Sequence, residues 1–121
     1  MKKLSFAKLR AVCAGLPGAT QDVKWGEVLV FSVGEKMFAG THGDGAPVFS
    51  FKVADERFLE LTDRPGVIPA PYLARAKWVQ ITPACALSQD EARALVEQSY
   101  QLVFAKLTKK LQREIIAQFA H

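Results

Sequence analysis

Cysteine and histidine are scarce in this chain, and that scarcity removes whole classes of chemistry. Cys13 and Cys85 are the only cysteines. They show no C-x-x-C spacing, so zinc-binding and thioredoxin-like readings have no support and both residues read as free, buried thiols. His42 lies beside Asp44 in a glycine-rich stretch, and the only other histidine is His121. No serine or cysteine elbow, metal-ligand cluster or defined carboxylate pair accompanies them, so no catalytic residue, metal or cofactor is expected. Long apolar runs are missing too: no stretch nears the roughly 18 residues of a membrane helix. Lys8 and Arg10 interrupt the first apolar stretch before a signal-peptide core could form. A soluble, cytoplasmic protein is the expectation.

What is present is an ordinary globular composition, with 50% hydrophobic and 23% charged residues over 121 positions. That length suits one domain spanning residues 1–121. Repeats and linkers are lacking, and Gly43-x-Gly45 is neither a phosphate loop nor a dinucleotide fingerprint. The net charge is +4, unevenly placed: residues 99–121 carry four Lys or Arg against one acid, whereas residues 54–98 carry five against seven.

The periodicity predicts a mixed α and β order. Phe6, Leu9, Val12, Cys13 and Leu16 have helical spacing behind Ser5, a capping residue, and Pro17-Gly18 ends the helix. After a short polar stretch, Glu27–Val33 reads as a strand, and Gly34-Glu35 as a type II′ hairpin turn into Lys36–Thr41. A third strand, Val48–Val53, follows a loop. Asp55 is placed as the cap of a short helix that Pro65-Gly66 stops, and Val67–Ala76, with Pro69 and Pro71, as an ordered loop. Lys77–Thr82 alternates as a strand. Ser88 and Glu91 have capping-box spacing ahead of the main helix, whose apolar stripe runs on through Leu107, Leu111, Ile115 and Phe119. Thr108 leaves one helix or two open.

Several short words stand at compatible spacing along this order: Leu16-Pro17-Gly18-Ala19-Thr20, Val28–Gly34, Lys36-Met37-Phe38-Ala39, Pro65-Gly66-Val67, Pro69–Arg75 leading to Trp78-Val79, Ser99-Tyr100 and Ala105–Lys110. In them the chain resembles the MmcQ/YjbR family over about residues 6–111. The resemblance implies a CyaY-like α+β fold, an antiparallel sheet of about four to six strands with N- and C-terminal helices packed on one face. It also implies a double-wing DNA-binding module. Where many members carry a His-Met-Asn-Lys-type segment ending in His-Trp, this chain reads Tyr72-Leu73-Ala74-Arg75-Ala76-Lys77-Trp78. Only Trp78 and the basic character of Arg75 and Lys77 carry over.

Two basic groups are therefore candidate DNA contacts. Arg75 and Lys77 would meet phosphates beside the aromatic rings of Tyr72 and Trp78. Lys106, Lys109, Lys110 and Arg113 line one side of the terminal helical segment. Each has a plain alternative: the rings as core, and the lysines as charges favouring a helix carboxyl end. The leading expectation is a non-enzymatic protein binding DNA largely through electrostatics. Two others stay open, a protein-interaction or regulatory module and a small-ligand binder with Trp25 and His42 at its pocket.

Overall fold

A computed structural model describes residues 3–24, 26–43, 46–71, 73 and 76–119. It is α+β: six antiparallel strands form one sheet in the order β1-β2-β3-β4-β6-β5, with helices from both ends of the chain packed on one face. The strands are β1 (Ala19–Lys24), β2 (Val28–Val33), β3 (Lys36–His42), β4 (Val48–Lys52), β5 (Val67–Pro69) and β6 (Trp78–Ile81). The helices are α1 (Phe6–Gly15), α2 (Phe58–Thr62), which continues a 3-10 turn over Asp55–Arg57, α3 (Gln89–Phe104) and α4 (Lys109–Phe119).

The caps read from sequence hold at two helices. Ser5 accepts from Lys8 N at the start of α1, and Ser88 and Glu91 form a reciprocal capping box on α3. Asp55 does not cap its helix: Ala54 occupies that place without a side-chain bond, and Asp55 sits inside the first turn. There its charge favours the helix amino end without a hydrogen bond. The terminal segment is two helices, since α3 ends at Phe104 and Thr108 Oγ1 accepts from Leu111 N at the start of α4. Gln112 bolts the two together by donating to the carbonyls of Phe104, Ala105 and Leu107.

Two strands depart from the sequence reading. β1 occupies the short polar stretch ahead of the first expected strand, and five of its six residues are solvent-exposed. Its extended form comes from pairing with β2 over Ala19↔Val33 to Lys24↔Val28. β5 was expected as loop because of its prolines. Pro69 is tolerated because β5 is the outermost strand, where a missing amide breaks no second ladder.

The sheet register fixes which residues meet the helices. Phe31↔Ala39, Ala39↔Phe51 and Phe51↔Val79 form one row across four strands, and all four side chains lie in the helix-facing core. A bulge between Phe31 and Ser32 leaves Phe38 as an extra residue on β3, so Phe38 joins Ala39 in the core instead of pointing away. Leu95, Val96, Tyr100 and Val103 of α3 close over this surface.

The turn between β2 and β3 has φ of 56° at Gly34 and 66° at Glu35. Two positive values define the type I′ class, not the expected II′, the difference lying at Glu35, whose φ is positive. A Cβ on Gly34 would lie 2.7 Å from Leu107, so the chain there must stay bare. Gly18 is similar: its φ is 72° and an added Cβ would stand 3.0 Å from Ile115.

Candidate nucleic-acid interface

The strand directions gather lysines that are remote in sequence at one end of the sheet. β3 begins there with Lys36, β4 ends there with Lys52, and β6 begins there immediately after Lys77. α3 runs toward the same end, because Ser99 bonds Phe38 and Lys52, and Leu107 packs on the Gly34 turn. Lys106, Lys109, Lys110 and Arg113 follow at that corner. Two antiparallel hairpins, β2–β3 and β5–β6, also turn at this end. Lys36 and Lys52 were not singled out in the sequence, since each is a lone lysine at a strand terminus. Strand polarity alone brings them in.

These cations differ in how free they are. Lys106, Lys109, Lys110 and Arg113 are exposed, and the ion pairs among the described residues involve none of them. Those pairs are Arg57–Glu60, Arg64–Glu60, Arg64–Glu91 and Arg93–Glu97, all on α2, α3 and the turns beside them. Lys52 donates its Nζ to Ala76 O. Lys77 has a φ of 62°, and its ammonium lies 5.1 Å from the centre of the Phe58 ring, a cation–π contact that holds it against the body.

The macrodipole explanation of the terminal lysines is reversed for two of them. Lys106 follows the carboxyl end of α3, where positive charge is favourable, but Lys109 and Lys110 form the first turn of α4. That turn carries no acid. A helix amino end already bears about half a positive charge, so two lysines there oppose the dipole and reinforce a field that attracts anions.

Trp78 follows the plain alternative, a ring in the core. Only 5% of it is exposed, so it offers no free ring for stacking on a base. The chain ahead of it folds back, with Ala70 N donating to Trp78 O and Trp78 N to Leu73 O. Tyr72, Arg75 and Trp25 lie outside the described residues. His42 is exposed at the end of β3, and no group of three or more His, Cys, Asp or Glu among the described residues is placed to hold a metal. Two surface depressions, of about 190 and 270 Å³, are lined by Arg57, Glu91 and Leu95 and by Lys3, Pro47 and Pro83, and neither includes His42. Cys13 and Cys85 are free and buried, and burial pushes the Cys13 thiol up to about 12.

Three of the words that carry the family resemblance, those holding Pro17, Phe38 and Ser99-Tyr100, meet at one place. Tyr100 donates its hydroxyl to Pro17 O at 2.6 Å and sets its ring edge-on to Phe38. Ser99, its neighbour, bonds Phe38 O. These residues lock the turns and the bulge that orient the basic end.

Comparison with known proteins agrees with this architecture. The family model described as YjbR matches residues 14–102. The crystal structure of the Deinococcus radiodurans protein DR2400, with domain DUF419, superimposes with a TM-score of 0.82 at 29% identity, covering 93% of this chain and 88% of that one. A Pseudomonas syringae protein has the same fold, with a TM-score of 0.69 at 22% identity over 83% of this chain and 99% of its own. No curated protein matches the chain.

Proposed function

Because the chain belongs to the YjbR family, we propose that it is a cytoplasmic, non-enzymatic DNA-binding protein that meets the phosphate backbone with its basic end. The observation that carries this reading is the α3–α4 corner. Lys106, Lys109, Lys110 and Arg113 are exposed and unpaired among the described residues, and two of them stand where they oppose their own helix dipole. Such charges stabilise the folded chain little and a bound polyanion well. The β2–β3 and β5–β6 hairpins that turn at this end suit the two wings of a double-wing module, with the segment carrying Tyr72, Arg75 and Lys77 joining β5 to β6. Trp78, being buried, serves the fold and not the contact.

Contacts confined to phosphates make binding insensitive to sequence and steep in salt. Fluorescence anisotropy on a labelled duplex tests this. Four phosphate contacts give a log–log salt slope of roughly −3.6, and the Lys109→Glu/Lys110→Glu protein should lose about half of that slope together with affinity. No binding at low salt, or an affinity indifferent to salt, would remove the proposal.

A further inference from the structure

The solvent side of α2 and the turn before it is an acidic face built around one projecting apolar residue. Asp55, Glu56, Leu59, Glu60 and Asp63 are all exposed, with spacings of four and eight that align them on one side. Leu59 is 80% exposed, more than any other large apolar residue described. Glu60 is engaged by Arg57 and Arg64, which leaves Asp55, Glu56 and Asp63 without an ion-pair partner among the described residues.

The complement of that face is on α4. Lys109, Lys110 and Arg113 are exposed near its start, and Ile116 and Phe119 follow with 55% and 49% exposure. The two faces cannot meet within one molecule. α2 packs on β5 and β6 at one edge of the sheet, whereas α4 sits on Gly18 and Gly34 beside β1 and β2 at the other. Six strands put these edges about 24 Å apart.

We propose that the acidic Leu59 face of one molecule docks on the α4 face of a second copy of this chain. Leu59 seats against Ile116 and Phe119, and the carboxylates meet Lys109, Lys110 and Arg113. The contact joins two different surfaces on opposite edges, so it is heterologous and propagates into chains instead of closing at a dimer. It is small, partly electrostatic and therefore weak and salt-sensitive. The proposal does not depend on DNA binding.

Sedimentation of the full chain without nucleic acid tests it. At roughly 0.01 M ionic strength, where the Debye length is about 30 Å, the average mass should climb past that of a dimer as concentration rises, and at about 1 M it should return to monomer. Leu59→Lys removes one face and Lys109→Glu/Lys110→Glu the other, all at exposed positions, with circular dichroism confirming that each protein is folded. Each variant alone should be monomeric. Mixed, they retain one intact face each and should form 1:1 dimers that grow no further. A wild type that stays monomeric at low salt, an assembly that survives either variant, or a mixture that fails to pair would overturn the proposal.

Discussion

Ser99 on α3 donates its hydroxyl to Phe38 O at 2.6 Å, spanning the helix–sheet interface at the point where the bulge opens β3. Ser99 Oγ in turn accepts from Lys52 N at 2.9 Å, so one fully buried hydroxyl satisfies two backbone groups, one on β3 and one on β4. Replacing it by Ala strands both. The expected cost is on the order of 2–4 kcal/mol, from two part-desolvated groups losing a partner together. Urea denaturation of Ser99→Ala measures it, and a loss below about 0.5 kcal/mol would show that water takes over the bonds.

The β2–β3 turn predicts two changes of opposite sign. Gly34→Ala forces a Cβ into Leu107 at a φ of 56° and should destabilise by about 1–3 kcal/mol. Glu35, at a φ of 66°, is an L residue in glycine and asparagine territory. Glu35→Asn should stabilise by up to about 1 kcal/mol. Thermal melts of the two single variants decide it, and equal signs would contradict the turn geometry.

Lys109 offers a separation of stability from binding. Lys109→Glu places an acid in the first turn of α4 and an i,i+4 partner before Arg113, and should raise stability by about 0.3–1 kcal/mol. The same change should weaken binding to duplex DNA. If stability falls along with affinity, the lysine has a structural role instead.

Acid should weaken the link between α2 and α3. The Arg57 hydrogen bond, with Arg64 beside it, lowers the pKa of Glu60, and the Arg64 bond at 2.7 Å, helped by Ser88 N, lowers that of Glu91. Both carboxylates have folded values below the ordinary 4.5, so their contribution is complete above that pH and is lost as pH falls through the depressed values. These groups are exposed, so the effect is small and screened by salt. Denaturation midpoints followed from neutral pH downward should fall less steeply in Arg64→Gln than in the wild type. Parallel acid limbs would place the acid sensitivity elsewhere.

Much of the architecture was legible because it is local physics. Ser5, Ser88 with Glu91, and Thr108 mark helix starts by side-chain bonds that span three residues. The β-branched and aromatic run Val28–Val33 and the apolar stripe of α3 mark surfaces that one element must bury. β1 and β5 were not legible, since an exposed polar strand and a proline-bearing edge strand take their form from a neighbour's backbone and not from their own side chains.

Near-neighbour patterns in the sequence were enough for the caps at Ser5 and Ser88, the four apolar strands, the two buried thiols and the surplus of positive charge after residue 99. Tertiary structure decided what that charge is worth. Ending α3 at Phe104 placed Lys109 and Lys110 at a helix amino end, antiparallel pairing added Lys36, Lys52 and Lys77 to the same end, and Trp78, bonded through its backbone to Ala70 and Leu73, is buried. The reason is that a cap or an apolar alternation reports interactions between near neighbours in the chain. The field at a surface depends on strand polarity and helix direction, which only the packed fold sets.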